Sequence, residues 1–301
     1  MKHVLIPVDF SEHAVAAARL GVSLADTHGA VVTLAHVLDL YAHISIDPKV
    51  WQRYKEDQHA SKRRELEQLR DELHAGHESV DINLLIRTDE PSHGILTAAA
   101  DTQADLIVMA SYGADAAGRF MLGSVAARAA LRAPCPVMIT RKDQLARVPN
   151  DARFTHPVVA VDYSRFSHPA LELAAELVTP TSTIEVVHIF RWPYEGDDAA
   201  LAEALADART TELERLEDFT RDIDLAMVHV AHHADVGRVA NQILDFARTS
   251  KTDLLVVGAH GRPDPMPHLG TVADRLLRTA PVPVLLVPES MADAADKDSP
   301  T

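Results

Sequence analysis

Two loops in the chain carry glycines at spacings that suit the binding of an anion. The first, MASYGADAAGRFMLGSV from residue 109, contains Gly113 and ends with Gly123. The second, VGAHGRPDPMPHLGTV from residue 257, contains Gly258, Gly261 and Gly270. Glycine lets backbone N–H groups approach phosphate oxygens without an intervening Cβ, and it permits positive φ. The loops therefore predict a phosphate cradle, with an ordinary glycine turn as the alternative.

The last glycine of each loop stands directly before a predicted helix, and Ser124 or Thr271 follows it. Unpaired N–H groups and the helix dipole favour an anion there, and the hydroxyl either caps the helix or donates to a phosphate. The second loop holds three prolines, which lack an N–H, and Asp264, which carries a like charge. We therefore expect the first loop to be the better cradle. Arg119 and Arg262 either neutralise phosphates or are solvated surface residues.

Each half of the chain has a carboxylate at the end of its first predicted strand, in the stretches PVD and AVD. Parallel strands share one carboxyl edge, and ligands bind there at the reversal of strand order. The fourth strand ends at the same edge. The residues expected there are Pro7, Val8, Asp9, Met109 and Ala110 in the first half, and Val161 and Asp162 in the second. Each carboxylate is either a ligand acceptor or the cap of the next helix.

The chain is predicted to be a duplication. VLIPVDFSEHAVAAARLGVSLA near the start returns as VVAVDYSRFSHPALELAAELV from residue 158, and ADLIVMAS (104–111) returns as TDLLVVGA (252–259). VTLAHVLD (32–39) and LGSVAARAALRAPCPVMIT (122–140) also return in order, as IEVVHIF and LGTVADRLLRTAPVPVLLV. Such ordered repetition predicts two copies of one domain. We assign residues 1–141 and 154–288 to the domains, 142–153 to a linker and 289–301 to a disordered polar tail.

Short apolar stretches alternate with longer helical patterns in each copy. In the first, strands are predicted near 3–8, 31–38, 80–87, 105–110 and 135–140, and helices near 12–27, 50–76, 91–102 and 123–132. Ser11, Pro91 and Pro169 mark helix starts. Near-continuous apolar strands are typical of parallel sheets covered on both faces. The predicted fold class is α/β, as two tandem doubly wound domains with five parallel strands each.

Composition excludes several classes of partner. Acidic residues outnumber basic ones by 44 to 29, giving a formal net charge of −15 that disfavours nucleic acid but not a small anion in a pocket. No apolar stretch approaches the ~18–20 residues of a membrane span, and the start lacks a signal peptide's apolar region. The single cysteine, Cys135, lies between two prolines and reads as a packed hydrophobe. We expect a soluble cytoplasmic protein with neither a nucleic-acid nor a membrane partner.

Several histidines call for interpretation. His36 and His188 close equivalent strands, and they either pack beside the site or contact a ligand. HVAHHAD (229–235) contains three more in a predicted strand. Acidic or cysteine partners at a known metal spacing are missing around this stretch, so surface histidines are the favoured interpretation.

Together, the repeated glycine loops and the GSVA and PCPV or PVPV blocks resemble the universal stress protein family, in tandem form and over nearly the whole chain. Nucleotide-binding members carry Gly, two residues, Gly, nine residues, then Gly-Ser or Gly-Thr. The first copy has the nine-residue spacing from Gly113 to Gly123 but begins with Ala110, whose strain would be about 1–2 kcal/mol if its φ had to be positive. The second begins with Gly258 and Gly261 but is one residue short.

The resemblance implies an adenine nucleotide alpha hydrolase-like fold with ATP, ADP or AMP as ligand, with or without Mg²⁺. It implies that the strand-one carboxylates face the ribose and adenine, that Val37 and Ile189 lie near the adenine, and that Val125 and Val272 lie beside the phosphate loop. Single-domain relatives pair their last strands between chains, so the two copies are expected to form an internal pseudo-dimer. A further homodimer is an option that no particular residue supports.

Three functions follow, in order of preference. The first is a stress-response sensor or regulator that binds adenine nucleotide with little or no hydrolysis, since GxxxxGK[ST] and an evident base or metal constellation are missing. The alternative is a scaffold or small-ligand carrier with degenerate pockets. The third, an adenylating enzyme of related fold, is disfavoured because DFSEHA and DYSRFSH replace the expected Ser-Gly-Gly loop after strand one.

Overall fold

The structure is a computed structural model that describes residues 1–39, 47–113, 121–179, 181–194, 199–221, 223–225, 228–261, 268–288 and 291. The chain divides into two compact units. Residues 1–145 with 150–152 form the first, and 146–149 with residues from 153 onward form the second. The predicted linker, 142–153, contains a 3-10 helix, Lys142–Arg147, and is divided between the units. Apart from residue 291, the predicted tail lies outside the described residues.

The first unit is a parallel sheet with helices between successive strands. Its strands are β1 (His3–Pro7), β2 (Val31–Leu38), β3 (Ile82–Thr88), β4 (Leu106–Ala110) and β5 (Val137–Thr140). Its helices are α1 (Glu12–His28), α2 (Pro48–His74), α3 (Pro91–Asp101) and α4 (Ser124–Arg132). Because the strand order is β3-β2-β1-β4-β5, it reverses between β1 and β4.

The second unit repeats this topology, which confirms the tandem α/β prediction. Its strands are β6 (Pro157–Ala160), β7 (Thr183–Phe190), β8 (His229–Val236), β9 (Leu254–Gly258) and β10 (Val284–Val287). Its helices are α5 (Ser167–Glu176), α6 (Ala199–Arg221), α7 (Val239–Thr249) and α8 (Thr271–Thr279). The order β8-β7-β6-β9-β10 reverses between β6 and β9, at the place equivalent to the β1–β4 reversal.

Local sequence explains where the helices begin and end. The hydroxyl of Ser11 accepts a hydrogen bond from the N–H of Ala14 at 3.1 Å and caps α1. Gly29 ends α1 with a left-handed φ of 63°. Pro91 opens α3, and Pro169 lies in the first turn of α5, where a missing N–H costs nothing. The predicted start signals are therefore confirmed.

The core of each unit lies on both faces of its central strands. In β1 and β4, Leu5, Ile6, Ile107 and Val108 are fully buried, as expected for parallel strands between two helical layers. The long helices α2 and α6 are largely exposed and carry the expected ion pairs between successive turns. None of the helices in the described ranges is long and apolar enough to cross a membrane.

Candidate functional site

The carboxyl end of β1 is fixed by two hydrogen bonds to β2. After Pro7, the N–H of Val8 donates to the carbonyl of Ala35 at 2.8 Å. The carbonyl of Val8 accepts from Nδ1 of the His36 imidazole at 2.7 Å. Burial lowers the pKa of His36, which favours the neutral ring that donates through Nδ1. This frame holds Asp9 at the edge where the strand order reverses.

The second copy builds the same frame from equivalent residues. The N–H of Val161 donates to the carbonyl of Val187 at 2.9 Å, and its carbonyl accepts from Nδ1 of His188 at 2.7 Å. Asp162 follows at the end of β6. His36 and His188 thus pack and hydrogen-bond at the two edges, which is one of the two roles considered for them.

Each edge carboxylate closes a turn with its own backbone. Oδ1 of Asp9 accepts from the N–H of Ser11 at 3.0 Å, and Oδ1 of Asp162 accepts from the N–H of Ser164 at 3.1 Å. Ser11 is the N-cap of α1, and Phe166 stands at the N-cap of α5. The helix-cap interpretation of the two carboxylates is therefore wrong, and the turns aim them across the edge instead.

The residue after each carboxylate has a left-handed backbone. Phe10 has a φ of 65° and Tyr163 a φ of 59°. A bulky side chain adopts this conformation rarely, at a cost of about 1–2 kcal/mol. The same position is strained in both copies, which indicates that this conformation is a shared feature of the turns that follow β1 and β6.

Aromatic contacts hold these strained residues in place. The ring of Phe10 lies 4.8 Å from the His36 ring and 4.7 Å from Nζ of Lys62. The ring of Tyr163 lies 4.0 Å from the Arg215 guanidinium, and burial raises the pKa of its phenol to about 12. Each ring is thus flanked by a cation, an arrangement that contributes roughly 0.5–1 kcal/mol at such sites and offsets part of the backbone strain.

Gly113 and Gly261 lie directly against the edge carboxylates. A Cβ built on either glycine would overlap Oδ2 of Asp9 or Asp162. Neither glycine has a positive φ, so the conformational freedom of glycine is not what these positions use. A side chain is excluded at these two positions because the carboxylate oxygen occupies the space that its Cβ would fill. Strand one and strand four therefore meet in one site, as the topology predicted.

The last loop glycines form the N-caps of two helices. The N–H of Gly123 donates back to the carbonyl of Ser111 at 2.7 Å, and the equivalent bond of Gly270 is 2.9 Å long. Ser124 and Thr271 are the first helical residues and are exposed. An N-cap side chain usually accepts a hydrogen bond from an N–H group of the first helical turn, and glycine has no side-chain oxygen to do so. The first N–H groups of α4 and α8 are therefore left to solvent or to a ligand.

The departure at Ala110 has a packing explanation. A Cβ on the equivalent Gly258 would lie only 2.5 Å from Cβ of Phe166, so glycine is needed there to accommodate that ring. The first copy has His13 at the position of Phe166 and tolerates the methyl group. Ala110 ends β4 without a positive φ, so the strain of about 1–2 kcal/mol considered for it does not arise.

A cavity of about 350 Å³ opens at this edge in the second domain. Every site residue predicted there lines it: Val161, Asp162, Ile189, Gly258, Gly261, Gly270, Thr271 and Val272. Val187, Val239 and Ile243 add apolar wall, and the volume is in the range of small-molecule sites. The lining residues that the sequence did not single out include Phe166, Ser167, His260 and His268. His260 had a usable signal, since it stands between two motif glycines.

In the first domain the predicted residues occupy equivalent positions around a loop that is only partly described. Met109 is buried in β4, and Val37 packs against α3, where a Cβ on Gly94 would lie 2.7 Å from its Cγ1. Val125 is half-buried on α4. Arg119 lies outside the described residues, as do Arg262 and the prolines and Asp264 of the second loop.

The histidines of the HVAHHAD stretch and the single cysteine have local explanations that do not involve a ligand. The HVAHHAD stretch forms β8, where Nε2 of His232 lies 2.8 Å from Oγ1 of Thr220 and Nε2 of His233 lies 2.6 Å from Oε2 of Glu185. The described part of the chain contains no group of three or more side chains that could hold a metal ion. Burial raises the pKa of Cys135 to about 12, which disfavours a thiolate.

Sequence comparisons agree with this architecture. A protein of Thermus aquaticus named "Universal stress protein in QAH/OAS sulfhydrylase 3'region" is 31% identical over 140 residues, which cover 46% of this chain and 98% of that protein. A universal stress protein of Mycobacterium tuberculosis is 27% identical over 196 residues, covering 62% of this chain and 63% of that one.

Among solved structures, a universal stress protein from Archaeoglobus fulgidus aligns with a TM-score of 0.69 at 22% identity, covering 95% of this chain and 96% of that one. At that identity the likeness concerns the fold. A universal stress protein crystallised with cAMP aligns with 47% of this chain, at 20% identity and a TM-score of 0.37. The family pattern described as "Universal stress protein family" matches residues 1–141 and again 154–288. The chain therefore belongs to the universal stress protein family, of which it carries two copies in tandem.

Proposed function

We propose that this protein binds an adenine nucleotide and acts as a sensor or regulator, with little or no hydrolysis of the ligand. The observation that carries the proposal is the second-domain cavity, whose lining includes a carboxylate and the start of a helix that lacks a side-chain cap. A nucleotide has complementary groups, with hydroxyls on the ribose and negative charge on the phosphates.

The cavity walls suit each part of such a ligand. Ile189 and Ile243 provide an apolar slot for a planar base. Oδ2 of Asp162, which lies against Gly261, would accept hydrogen bonds from the ribose hydroxyls. The first N–H groups of α8, beginning at Thr271, can donate to phosphate oxygens, and the dipole of α8 adds to the attraction. Mg²⁺, when bound, would neutralise phosphate charge, and phosphate oxygens would supply most of its ligands.

Slow turnover is part of the proposal. Rapid hydrolysis needs a group that orients the attacking water and cations that stabilise the transferring phosphoryl group. Among the described lining residues the only carboxylate is Asp162, and its Oδ1 already accepts from Ser164 and Ser167. The ligand would then act by stabilising one conformation of the protein.

Calorimetry with ATP, together with mass spectrometry of small molecules released from the natively purified chain, tests nucleotide binding. Gly270→Val and Gly123→Val are matched variants, because an added Cβ crowds the carbonyl of Ala259 at 3.0 Å or of Ser111 at 3.3 Å. We expect Gly270→Val to abolish binding to the cavity of the second domain. The first-loop preference from the sequence stays a prediction, and a larger loss in Gly123→Val would support it.

Two results would contradict the proposal. Empty sites after native purification, with no thermal shift on adding ATP, would favour the scaffold or small-ligand carrier. Brisk ATP turnover that is lost on changing Asp9 or Ser124 would point to an enzyme. Internal pairing of the domains as a pseudo-dimer and assembly into a homodimer also stay predictions.

A further inference from the structure

The two copies differ in the ionisable side chains beside the phosphate loop. The residue directly before the middle motif glycine is His260 in the second copy and Tyr112 in the first. The residue two positions before the helix N-cap is His268 in the second copy and Met121 in the first. At these two equivalent positions the second copy therefore has two imidazoles, whereas the first copy has a phenol and a thioether.

Both imidazoles belong to the cavity of the second domain. His260 and His268 are lining residues, and a Cβ on Gly270 would lie 3.4 Å from Cα of His260. The backbone of His260 therefore borders the N-cap of α8, and His268 lies two residues before that cap. Both residues therefore adjoin the helix start at which an anion would bind.

Among the described residues, few charged side chains lie near the two imidazoles; Arg262 and Asp264, in the stretch between them, lie outside the described residues. Asp162 faces Gly261 from the turn after β6, and the Arg165 guanidinium lies 5.3 Å from the Phe166 ring that neighbours His260. The lining from α7 and α8 is non-ionisable, and it consists of Val239, Ile243, Thr271, Val272 and Ala273. Within the described lining, neither lysine nor arginine is present. The histidines are therefore the described side chains of this cavity that can become cationic.

We propose that His260 and His268 are the side-chain contacts that select phosphorylated ligands in the second domain, and that they do so in a pH-dependent way. This inference rests on the proposed nucleotide site. Protonation gives an imidazole a second N–H donor and a positive charge, both of which favour a phosphate. Nδ1 of His268 also lies 3.2 Å from the carbonyl oxygen of Leu269, to which it can donate. By linkage, a ligand that prefers the protonated rings binds more tightly as the pH falls.

The test isolates the second site in the full chain with Gly123→Val and measures ATP and adenosine affinities by calorimetry at pH 6 and pH 8. The variants His260→Tyr and His268→Met, separately and together, install the side chains of the first copy. We expect the double variant to lose about tenfold in ATP affinity at pH 6 and less than threefold at pH 8. Adenosine affinity should stay the same, because adenosine carries no phosphate.

The comparison between variants removes the effect of the ligand's own titration, since the terminal phosphate also protonates near pH 6 in every sample. Equal ATP affinities in the parent and double variants at pH 6, with binding intact, would overturn the role of the histidines while leaving the nucleotide site standing. Loss of adenosine binding in the double variant would show structural damage to the site, and it would also overturn the proposed role. Failure of the parent to bind both ligands at either pH would overturn the nucleotide site itself.

Discussion

The contact between Gly261 and Asp162 predicts a coupling that can be measured. In Gly261→Ala the new methyl group overlaps Oδ2, so the exposed carboxylate must rotate away. Rotation breaks the hydrogen bonds that Oδ1 accepts from the N–H of Ser164 at 3.1 Å and from the hydroxyl of Ser167 at 3.2 Å. At about 1 kcal/mol each, these bonds set a cost of roughly 2 kcal/mol.

An opposing effect lowers the net cost of this substitution. Replacing glycine by alanine at an allowed φ restricts the unfolded chain and stabilises the fold by about 0.4–1 kcal/mol. Gly261→Ala should therefore lower the free energy of unfolding by about 1–1.5 kcal/mol in the natural background. In an Asp162→Ala background the overlap is gone, and the same substitution should be stabilising. The sign should reverse, with an interaction energy of about 2 kcal/mol.

The assay is urea unfolding of the full chain, followed by tryptophan fluorescence. The two tryptophans lie in different domains, so Trp51→Phe leaves Trp192 to report on the second domain. Gly76→Ala is the control for the substitution type, because a Cβ there meets nothing within 4 Å. It is measured with Trp51 as the reporter. An equal cost of Gly261→Ala with and without Asp162 would refute the claim that the glycine exists for the carboxylate.

Three further outcomes are expected. At Phe10, glycine should give a more stable protein than alanine by about 1 kcal/mol in urea unfolding, because φ is 65° there; alanine at least as stable as glycine would contradict the strain. Gly258→Ala should cost about 1–3 kcal/mol through its clash with Phe166, and an unchanged unfolding midpoint would contradict that packing. Burial lowers the pKa of His36, so the unfolded state binds more protons than the folded state below about pH 6.5. The free energy of unfolding should therefore fall as the pH drops, and His36→Gln should make it fall less steeply. An unchanged slope in His36→Gln would show that His36 is not the cause.

The sequence was sufficient for the features set by hydrophobic pattern and repetition. The strand–helix alternation and the reversal of strand order are confirmed, and all eight residues predicted in the second copy line one cavity. Some helices and strands begin at other residues than predicted, because a single residue sets the start. Helix α2 begins at residue 48 because Oδ1 of Asp47 accepts from the N–H of Lys49 at 2.8 Å. Strand β5 begins at Val137, two residues late, because Pro136 has no N–H for the ladder.

Side-chain contacts across the site were beyond the reach of sequence patterns. In the sequence, the loop glycines indicate the approach of an anion to backbone N–H groups, whereas at position 261 the structure shows the Asp162 carboxylate against the glycine. The left-handed backbone at Phe10 and Tyr163 had no signal in composition, since aromatic residues rarely adopt it. Such features depend on which distant residues meet, and a motif read along one chain segment does not contain that information.

A comparison of the two copies shows how the site diverged. In the first, the imidazole stands at the helix start and the phenol in the loop, and the rings of His13 and Tyr112 lie 4.5 Å apart. In the second the order is exchanged, with Phe166 at the helix start and His260 in the loop, 6.1 Å apart. The phenyl ring of Phe166 explains why residue 258 is glycine. The imidazole of the second copy belongs to the loop residue His260, which lines the cavity. Because the phenyl ring requires glycine beneath it, His13→Phe alone should destabilise the first domain through a clash with the methyl group of Ala110. Combining His13→Phe and Tyr112→His with Ala110→Gly should restore stability, as measured by urea unfolding. Equal stability of the double variant with and without Ala110→Gly would show that the glycine does not serve the ring.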